Sequence, residues 1–236
     1  MAIFNTVYGG EPKWKPWANT LVYLPLNWDA LDQSGNSRDG TLPSSSYYTW
    51  EYINWVDWQQ CIKFKWASGD NSELSWTYAD ATIWSWDRTI SFWGKFDVVW
   101  SSSVYMTHIW TQNWWTQWWW FGIYCKDWWN ANQIWILRYY NDPYMTSFTY
   151  DTNRHHWVIT YNNTNKAKMY VDGVQVVMTQ NVSASFNTVW TNYFFGAYRG
   201  SDTSRRISFS NYIIENKERT ADEITKYYNS TKANYS

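Results

Sequence analysis

The stretch from His155 to Gly173, HHWVITYNNTNKAKMYVDG, decides the fold. Trp157, Ile159 and Tyr161 recur at every second position, which is the period of a β-strand with one buried face. The Asn-Asn-Thr-Asn segment that follows is a turn signal, because Asn tolerates left-handed backbone and bonds its own chain. The chain returns through Lys166–Val171 and turns again at Asp-Gly. The pattern therefore predicts an antiparallel meander.

Similar patterns extend along the rest of the chain, and they predict mostly strands. The predicted strands are Thr20–Asn27, Gln59–Lys65, Thr89–Phe96, Met106–Trp110, Trp119–Lys126, Ile134–Tyr140, Val174–Met178, Tyr193–Tyr198 and Arg206–Ile214. The segment Tyr144–Tyr150 leads into the 155–173 hairpin.

One helix is predicted near the end of the chain. Thr220 and Glu223 have the spacing of a capping box, in which each side chain bonds the other's backbone N–H. Ile224, Tyr227 and Tyr228 then form an apolar stripe at helical spacing. We expect this helix to pack on the strands through that stripe.

Three segments carry a family resemblance: the 155–173 hairpin, TISFW at 89–93, and RTADEITKYYN at 219–229. Together they resemble laminin-G-like jelly rolls of the concanavalin A-like lectin/glucanase superfamily. The resemblance implies an all-β fold, a two-sheet antiparallel jelly-roll sandwich with a short C-terminal helix. Residues 19–236 are expected to form this domain, and residues 1–18 to form an N-terminal arm or linker.

The tryptophan content is abnormal, with 23 Trp but only 10 Gly in 236 residues. Glycine usage averages about 7% in proteins, and many of these Trp stand where turn chemistry favours Gly. One hypothesis is that part of them are glycines encoded by UGA and translated with the wrong code; the alternative is an authentic Trp-rich binding surface. Codon identity decides between the two at Trp28, Trp55, Trp58, Trp114, Trp115, Trp128 and Trp129.

Net charge and targeting signals limit the binding partners and the location that we expect for the chain. The net charge of −1 offers no basic excess for nucleic acid. Neither a secretory signal nor an apolar run of about 18 residues is visible, so we expect no membrane insertion. The expected location is extracellular or on a virion surface.

Cys61 and Cys125 could form one disulfide bridge, but two buried thiols are favoured.

Catalytic motifs are not recognisable, so we predict that the chain is not an enzyme. Glucanases of the related superfamily place two carboxylates across the glycosidic bond, and no Glu here lies on a predicted strand with an acid two or four residues away. His155 and His156 are neighbours on a strand and should point to opposite faces, so the pair should not chelate one metal ion.

An acidic loop follows the first strand. Asp29 and Asp32 are weak candidates for Ca²⁺ ligands, because Ca²⁺ is bound by oxygen atoms. The spacing matches no calcium motif, however, and a turn in which Asp32 caps its own backbone and Gly35 has positive φ is favoured. No other cofactor is predicted.

Candidate ligand-binding residues cluster between positions 108 and 140. Sugar sites stack pyranose rings on aromatic side chains and bond the hydroxyls with polar ones. For each residue the alternative is core packing or turn formation. The candidates are His108, Gln112, Asn113, Trp118, Tyr124, Asn132, Arg138 and Tyr140.

Three function classes remain open at this point. The first is a non-catalytic module that binds carbohydrate, such as a glycan or a cell-surface polysaccharide, as part of a phage fibre, a virion decoration or a surface adhesin. The second is a structural virion protein without a sugar ligand, whose partners are other virion proteins or copies of itself. The third is a degenerate glycoside hydrolase. The first is favoured.

Overall fold

The computed structural model describes residues 18–26, 30–41, 50–56, 59–64, 74–77, 87–96, 104–110, 121–126, 133–137, 148, 151–162, 164, 166–179, 192–195 and 207–234. Within these ranges the strands are β1 Thr20–Leu24, β2 Trp50–Val56, β3 Gln59–Phe64, β4 Leu74–Thr77, β5 Arg88–Phe96, β6 Val104–Trp110, β7 Phe121–Lys126, β8 Gln133–Leu137, β9 Arg154–Asn162, β10 Lys166–Val171, β11 Val174–Gln175, β12 Asn192–Phe195 and β13 Ile207–Glu215. Helix α1 spans Ala221–Thr231 and continues into a 3₁₀ turn at Lys232–Asn234.

The strands form two antiparallel sheets. The larger sheet has the order β11-β10-β9-β5-β13-β3-β2, and β1 also pairs with β13. The second sheet has five strands in the order β4-β12-β6-β7-β8. The predicted all-β sandwich with a C-terminal helix is confirmed.

Strand β13 lies at the centre of the larger sheet. One edge pairs with β5, while the other pairs first with β3 and then with β1. The change of partner occurs at a β-bulge where Asn211 has φ 47°. The Asn211 N–H donates to the Pro25 carbonyl, and its side-chain oxygen accepts from the Tyr23 hydroxyl at 3.2 Å. Asn suits this position because it tolerates positive φ better than other non-glycine residues.

The inner face of the larger sheet carries the aromatic core. Trp157 is fully buried, and its indole N–H donates to the Gly94 carbonyl at 3.3 Å. Phe92 and Phe209 meet edge to face with their ring centroids 5.7 Å apart, a favoured aromatic geometry. Complete burial of one such side chain stabilises the fold by about 1.5–3 kcal/mol. The hairpin thus contributes its alternate residues to the main core, as the sequence predicts.

The outer face of the same sheet is also buried, because α1 lies across it. Ile224 packs with Val158 and Tyr170. Tyr227 packs in a second cluster, with Tyr23 and Ile213. Most of the described side chains of β5 and β9 are therefore buried on both faces, where the alternation alone predicts one buried face. The helix supplies the second cover.

Capping of α1 follows the sequence prediction. The Glu223 N–H donates to the Thr220 hydroxyl at 3.2 Å, and the Thr220 N–H donates to the Glu223 carboxylate at 2.9 Å. Ile224 and Tyr227 are buried, while Tyr228 is half-buried. The predicted apolar stripe is therefore the face that contacts the sheet.

Several strand boundaries differ from prediction. Strand β1 ends at Leu24 rather than Asn27, because Pro25 lacks an N–H and Leu26 has φ 56°. The strand predicted at Val174–Met178 is regular only at Val174–Gln175. The segment Asn54–Trp58 reads as a turn in the sequence if its Trp residues are replaced by Gly, but this prediction is wrong over its first half, because β2 runs through Val56.

Two other predicted segments lie mostly outside the described residues. The Tyr144–Tyr150 segment that leads into the hairpin is described only at Phe148, and the N-terminal arm only at Ala18.

Candidate functional site

Two of the predicted ligand-binding residues lie on neighbouring strands of the five-stranded sheet. His108 of β6 pairs with Gly122 of β7 on one side and with Phe194 of β12 on the other. Tyr124 lies on β7, two residues beyond Gly122. The structure thus places these two predicted residues in adjacent strands. The remaining six lie outside the described residues: Gln112, Asn113, Trp118, Asn132, Arg138 and Tyr140.

Strand register shows which sheet end each predicted segment adjoins. Ile109 of β6 pairs with Phe121 of β7, and Gly122 pairs with Leu137 of β8. The end of β6, the start of β7 and the end of β8 therefore share one end of the sheet. The 111–120 connection and Arg138 directly adjoin these strand ends in the sequence. We call this end the β6–β8 edge.

In the sequence, Asn132 precedes a strand that begins at the opposite end of the same sheet. It directly precedes Gln133, and Gln133 pairs with Lys126 at the far end of β7. The candidate residues therefore adjoin, in sequence, strand ends that lie at both ends of the sheet. Sequence spacing could not show this, because only strand direction decides which loops share an end.

A second polar cluster lies at the start of the hairpin in the larger sheet. One ring nitrogen of His155, Nδ1, lies 2.7 Å from Asp172 Oδ2, and Nε2 lies 3.0 Å from Asp151 Oδ1. The Phe148 ring meets the imidazole edge to face at 5.0 Å. His155 is mostly buried between the two carboxylates.

The protonation state of His155 follows from its partners. An ionised carboxylate only accepts hydrogen bonds, so a partner on each ring nitrogen favours the charged imidazole, in which both nitrogens donate. Burial acts to lower the pKa of His155, but the bonds to Asp172 and Asp151 outweigh it and raise the pKa above the usual value. Burial likewise acts to raise the pKa of Asp151, yet bonds from Asn153 and His155 hold that pKa below its usual value.

The role of Asp172 is to close the hairpin onto itself. Its second carboxylate oxygen accepts from the His156 N–H at 2.9 Å, and its own N–H donates to the His156 carbonyl at 3.0 Å. Both carboxylate oxygens are therefore used, and the cluster acts as a clasp between β9 and the turn after β10. Sequence reasoning missed this clasp, although the acid of the Asp-Gly turn and Asp151, four residues before His155, were visible signals.

His155 and His156 point to opposite faces, as predicted. His155 faces the clasp, whereas His156 is buried under α1, with its ring centroid 5.1 Å from that of Tyr227. Among the residues that the structure describes, no group of three His, Cys, Asp or Glu side chains could hold a metal ion.

The acidic loop after β1 forms a turn around Asp32. Its carboxylate accepts from the backbone N–H groups of Tyr23, Ser34 and Arg38, and from the Ser34 hydroxyl. Gly35 has φ 89°. This agrees with the predicted turn, in which Asp32 bonds backbone donors. Asp29, the other predicted Ca²⁺ ligand, lies outside the described residues.

The two cysteines belong to different sheets. Cys61 lies in β3 of the larger sheet and is fully buried as a thiol. Cys125 lies in β7 of the five-stranded sheet. The prediction of a buried thiol at Cys61 is confirmed.

Solved structures with a similar fold include toxin binding domains and a sialidase. The chain is similar to the binding domain of botulinum neurotoxin DC in complex with rat synaptotagmin II, with 14% identity, a TM-score of 0.68, and coverage of 90% of this chain and 52% of that chain. It is also similar to a structure of botulinum neurotoxin type C, whose cell entry is described as dependent upon interaction with two ganglioside molecules. That match has 16% identity, a TM-score of 0.66, and covers 90% of this chain and 51% of that chain.

The sialidase is Trypanosoma rangeli sialidase in complex with 2,3-difluorosialic acid. That match has 16% identity and a TM-score of 0.65, and covers 98% of this chain and 36% of the sialidase. The chain thus spans about half of the toxin chains and about a third of the sialidase. No protein-family profile and no curated protein sequence matches it.

At 14–16% sequence identity, the similarity to these solved structures shows only the fold, which is a lectin-like β-sandwich. No helix among the described residues is long and apolar enough to cross a membrane.

Proposed function

We propose that the chain is a non-catalytic carbohydrate-binding module of the concanavalin A-like type, which recognises glycans on a cell surface. The observation that carries the proposal is its β-sandwich fold, which it shares with a toxin described by its dependence on ganglioside molecules and with a sialidase. Gangliosides carry sialic acid, and the sialidase structure is in complex with a sialic acid derivative. Sialylated glycans are therefore the first ligands to test.

The β6–β8 edge is the proposed ligand site. His108 lies two residues before the end of β6 at this edge, and the 111–120 connection and Arg138 adjoin the edge in sequence. These segments contain the kinds of groups that sugar recognition uses. Aromatic side chains provide surfaces on which sugar rings stack, and amide and guanidinium groups donate hydrogen bonds to the hydroxyls, the guanidinium donors in a fixed fork geometry. The Asp151–His155–Asp172 clasp is not proposed to bind ligand, because its carboxylates already bond the imidazole and the hairpin backbone.

Such a module would serve as the recognition part of a larger assembly, such as a virion fibre or a surface adhesin. The chain spans only about half of the similar toxin chains. Partners other than the glycan would then be virion proteins or further copies of the chain.

A paired binding and turnover experiment tests this function. The full chain should bind a defined glycan class on an array in a saturable manner and should release no sugar from that glycan after prolonged incubation. Sustained release of sialic acid or of another monosaccharide would instead identify a hydrolase. Failure to bind any glycan would favour the structural role.

A further inference from the structure

A small pocket with both polar and apolar walls lies between α1 and the outer face of the larger sheet. The polar groups of its lining come from Thr89, Ser91, His156 and Glu215 of the sheet, from Arg219, and from α1, which also contributes Tyr227. It has room for about one molecule the size of water. It lies in a different sheet from the β6–β8 edge and plays no part in the proposed sugar site.

His156 is the group in this pocket that lacks a hydrogen-bond partner. Its side chain is 1% exposed, and neither Nδ1 nor Nε2 has a protein partner. The ring is held in place by aromatic neighbours, with its centroid 5.3 Å from that of Trp93 and 5.1 Å from that of Tyr227. A buried polar group without a partner costs about 1–3 kcal/mol, so a partner in the pocket would be strongly favoured.

The ionic groups of the pocket are already paired. Arg219 donates from Nε to Glu215 at 2.6 Å and from a terminal nitrogen to Glu223 at 3.1 Å. Lys217 bonds Glu223 as well. The two carboxylates are thus matched by two cations, and the pocket has no net charge that would attract an ion.

The neutral state of His156 agrees with this picture. Burial lowers its pKa to about 3, with Asp172 acting weakly in the opposite direction. At neutral pH one ring nitrogen therefore carries a proton and donates, while the other accepts. The missing partner must be small and neutral, and it must both accept and donate hydrogen bonds.

We propose that this pocket is a binding site for one buried water molecule, which bonds His156 and a second polar group of the wall. Water can donate and accept together, and buried waters typically make about three hydrogen bonds to such groups. The bound water joins α1 to the sheet, since the walls come from both. It adds a polar anchor to the apolar contacts of Ile224 and Tyr227.

NMR on the full chain tests the site directly. With ¹⁵N-labelled histidine, the ring N–H of His156 should show a cross-peak to a long-lived water. The matched control Thr225→Val removes a helix bond to the Gly173 carbonyl, which lies outside the pocket lining, and should keep the cross-peak. A crystal structure should show the water within about 3 Å of a ring nitrogen. A ring nitrogen that contacts no water by either method overturns the proposal.

The sign of the change in Tm caused by His156→Phe tests the proposal independently of the NMR measurement. Phe keeps the aromatic packing but removes both nitrogens. If a water satisfies the imidazole, the variant loses these bonds and its Tm should fall by about 2–4 °C. If the nitrogens are unsatisfied, their removal relieves a cost, and an unchanged or raised Tm would overturn the proposal.

Discussion

The imidazole of His155 and the carboxylate of Asp172 lie 2.7 Å apart, although 17 residues separate them in the chain. The same carboxylate also accepts the His156 N–H. Asp172 stands at the tight turn after β10 with φ 52°, a conformation that Asp and Asn tolerate. One acidic side chain therefore holds the beginning of β9 against the end of β10.

Replacing this carboxylate should weaken the fold. Asp172→Asn keeps the shape and the tolerance for positive φ but removes the charge that His155 bonds. Since hydrogen bonds to charged groups contribute about 1.5–3 kcal/mol, we expect a loss of roughly that size in the free energy of unfolding at pH 6. Urea denaturation measures it. An Asn variant as stable as the parent would show that the clasp is not a source of stability.

The pH dependence of stability should carry two opposite contributions from adjacent histidines. The pKa of His155 is raised in the folded state, so its contribution is present below about pH 6.5 and is lost as pH rises through the folded pKa. The pKa of His156 is lowered to about 3, so its contribution is present above about pH 6.5 and is lost as pH falls toward 3.

Single variants separate the two contributions. His155→Gln should flatten the loss of stability above pH 6.5, and His156→Phe should reduce the loss below it. Urea midpoints at half-unit pH steps provide the measurement. If His155→Gln changes the stability only below pH 6.5, the two histidines do not make the opposite contributions described above.

Gly173 should be the less replaceable of two glycines with positive φ. A Cβ there would lie 3.2 Å from Cδ1 of Tyr228 and 3.3 Å from Cα of Thr225, both in α1, whereas a Cβ at Gly35 meets nothing within 4 Å. Because φ is positive at both positions, Gly35→Ala measures the backbone cost alone.

Gly173→Ala should therefore cost more than Gly35→Ala by about 1–3 kcal/mol, the usual range for overpacking. Thermal unfolding of the two variants gives the difference. Equal losses would mean that α1 shifts away from the turn at little cost.

The tryptophan hypothesis makes a prediction at Trp55. This residue lies between the Asn54–Gln60 and Val56–Gln59 pairs, at an irregularity in the register of β2 and β3. Bulges often require Gly. We expect UGA at codon 55 and UGG at codon 157, and we expect Trp55→Gly to raise the Tm.

Trp157→Gly is the matched control, because Trp157 is fully buried. Its loss should destabilise the fold by about 3–5 kcal/mol, the range for removing a buried Trp side chain. UGG at codon 55 would refute the recoding hypothesis for that position.

The sequence predicts the fold where local chemistry agrees with tertiary packing. The strand at Lys166–Val171, the capping box at Thr220 and the turn at Asp32 are local patterns, and all three occur as predicted. The second buried face of β5 and β9 could not be predicted from alternation, because it is covered by α1, which begins 59 residues after the end of β9.

The candidate site was less predictable for the same reason. His108 and Tyr124 fall in the consecutive predicted strands Met106–Trp110 and Trp119–Lys126, but the end of the sheet that each loop adjoins depends on strand register. The Asp151–His155–Asp172 clasp depends on one turn residue meeting the start of another strand, which no spacing rule specifies.

The most direct test of the proposed sugar site compares two cationic residues at opposite ends of the five-stranded sheet. Arg138 directly follows the end of β8 at the β6–β8 edge, and Lys126 ends β7 at the other end. The measurement is the Kd of the full chain and of each variant for the strongest glycan on the array. Arg138→Ala should weaken binding about tenfold or more, as expected for a lost charged hydrogen bond, while Lys126→Ala should match the parent. Equal affinity in all three proteins would contradict a site at the β6–β8 edge.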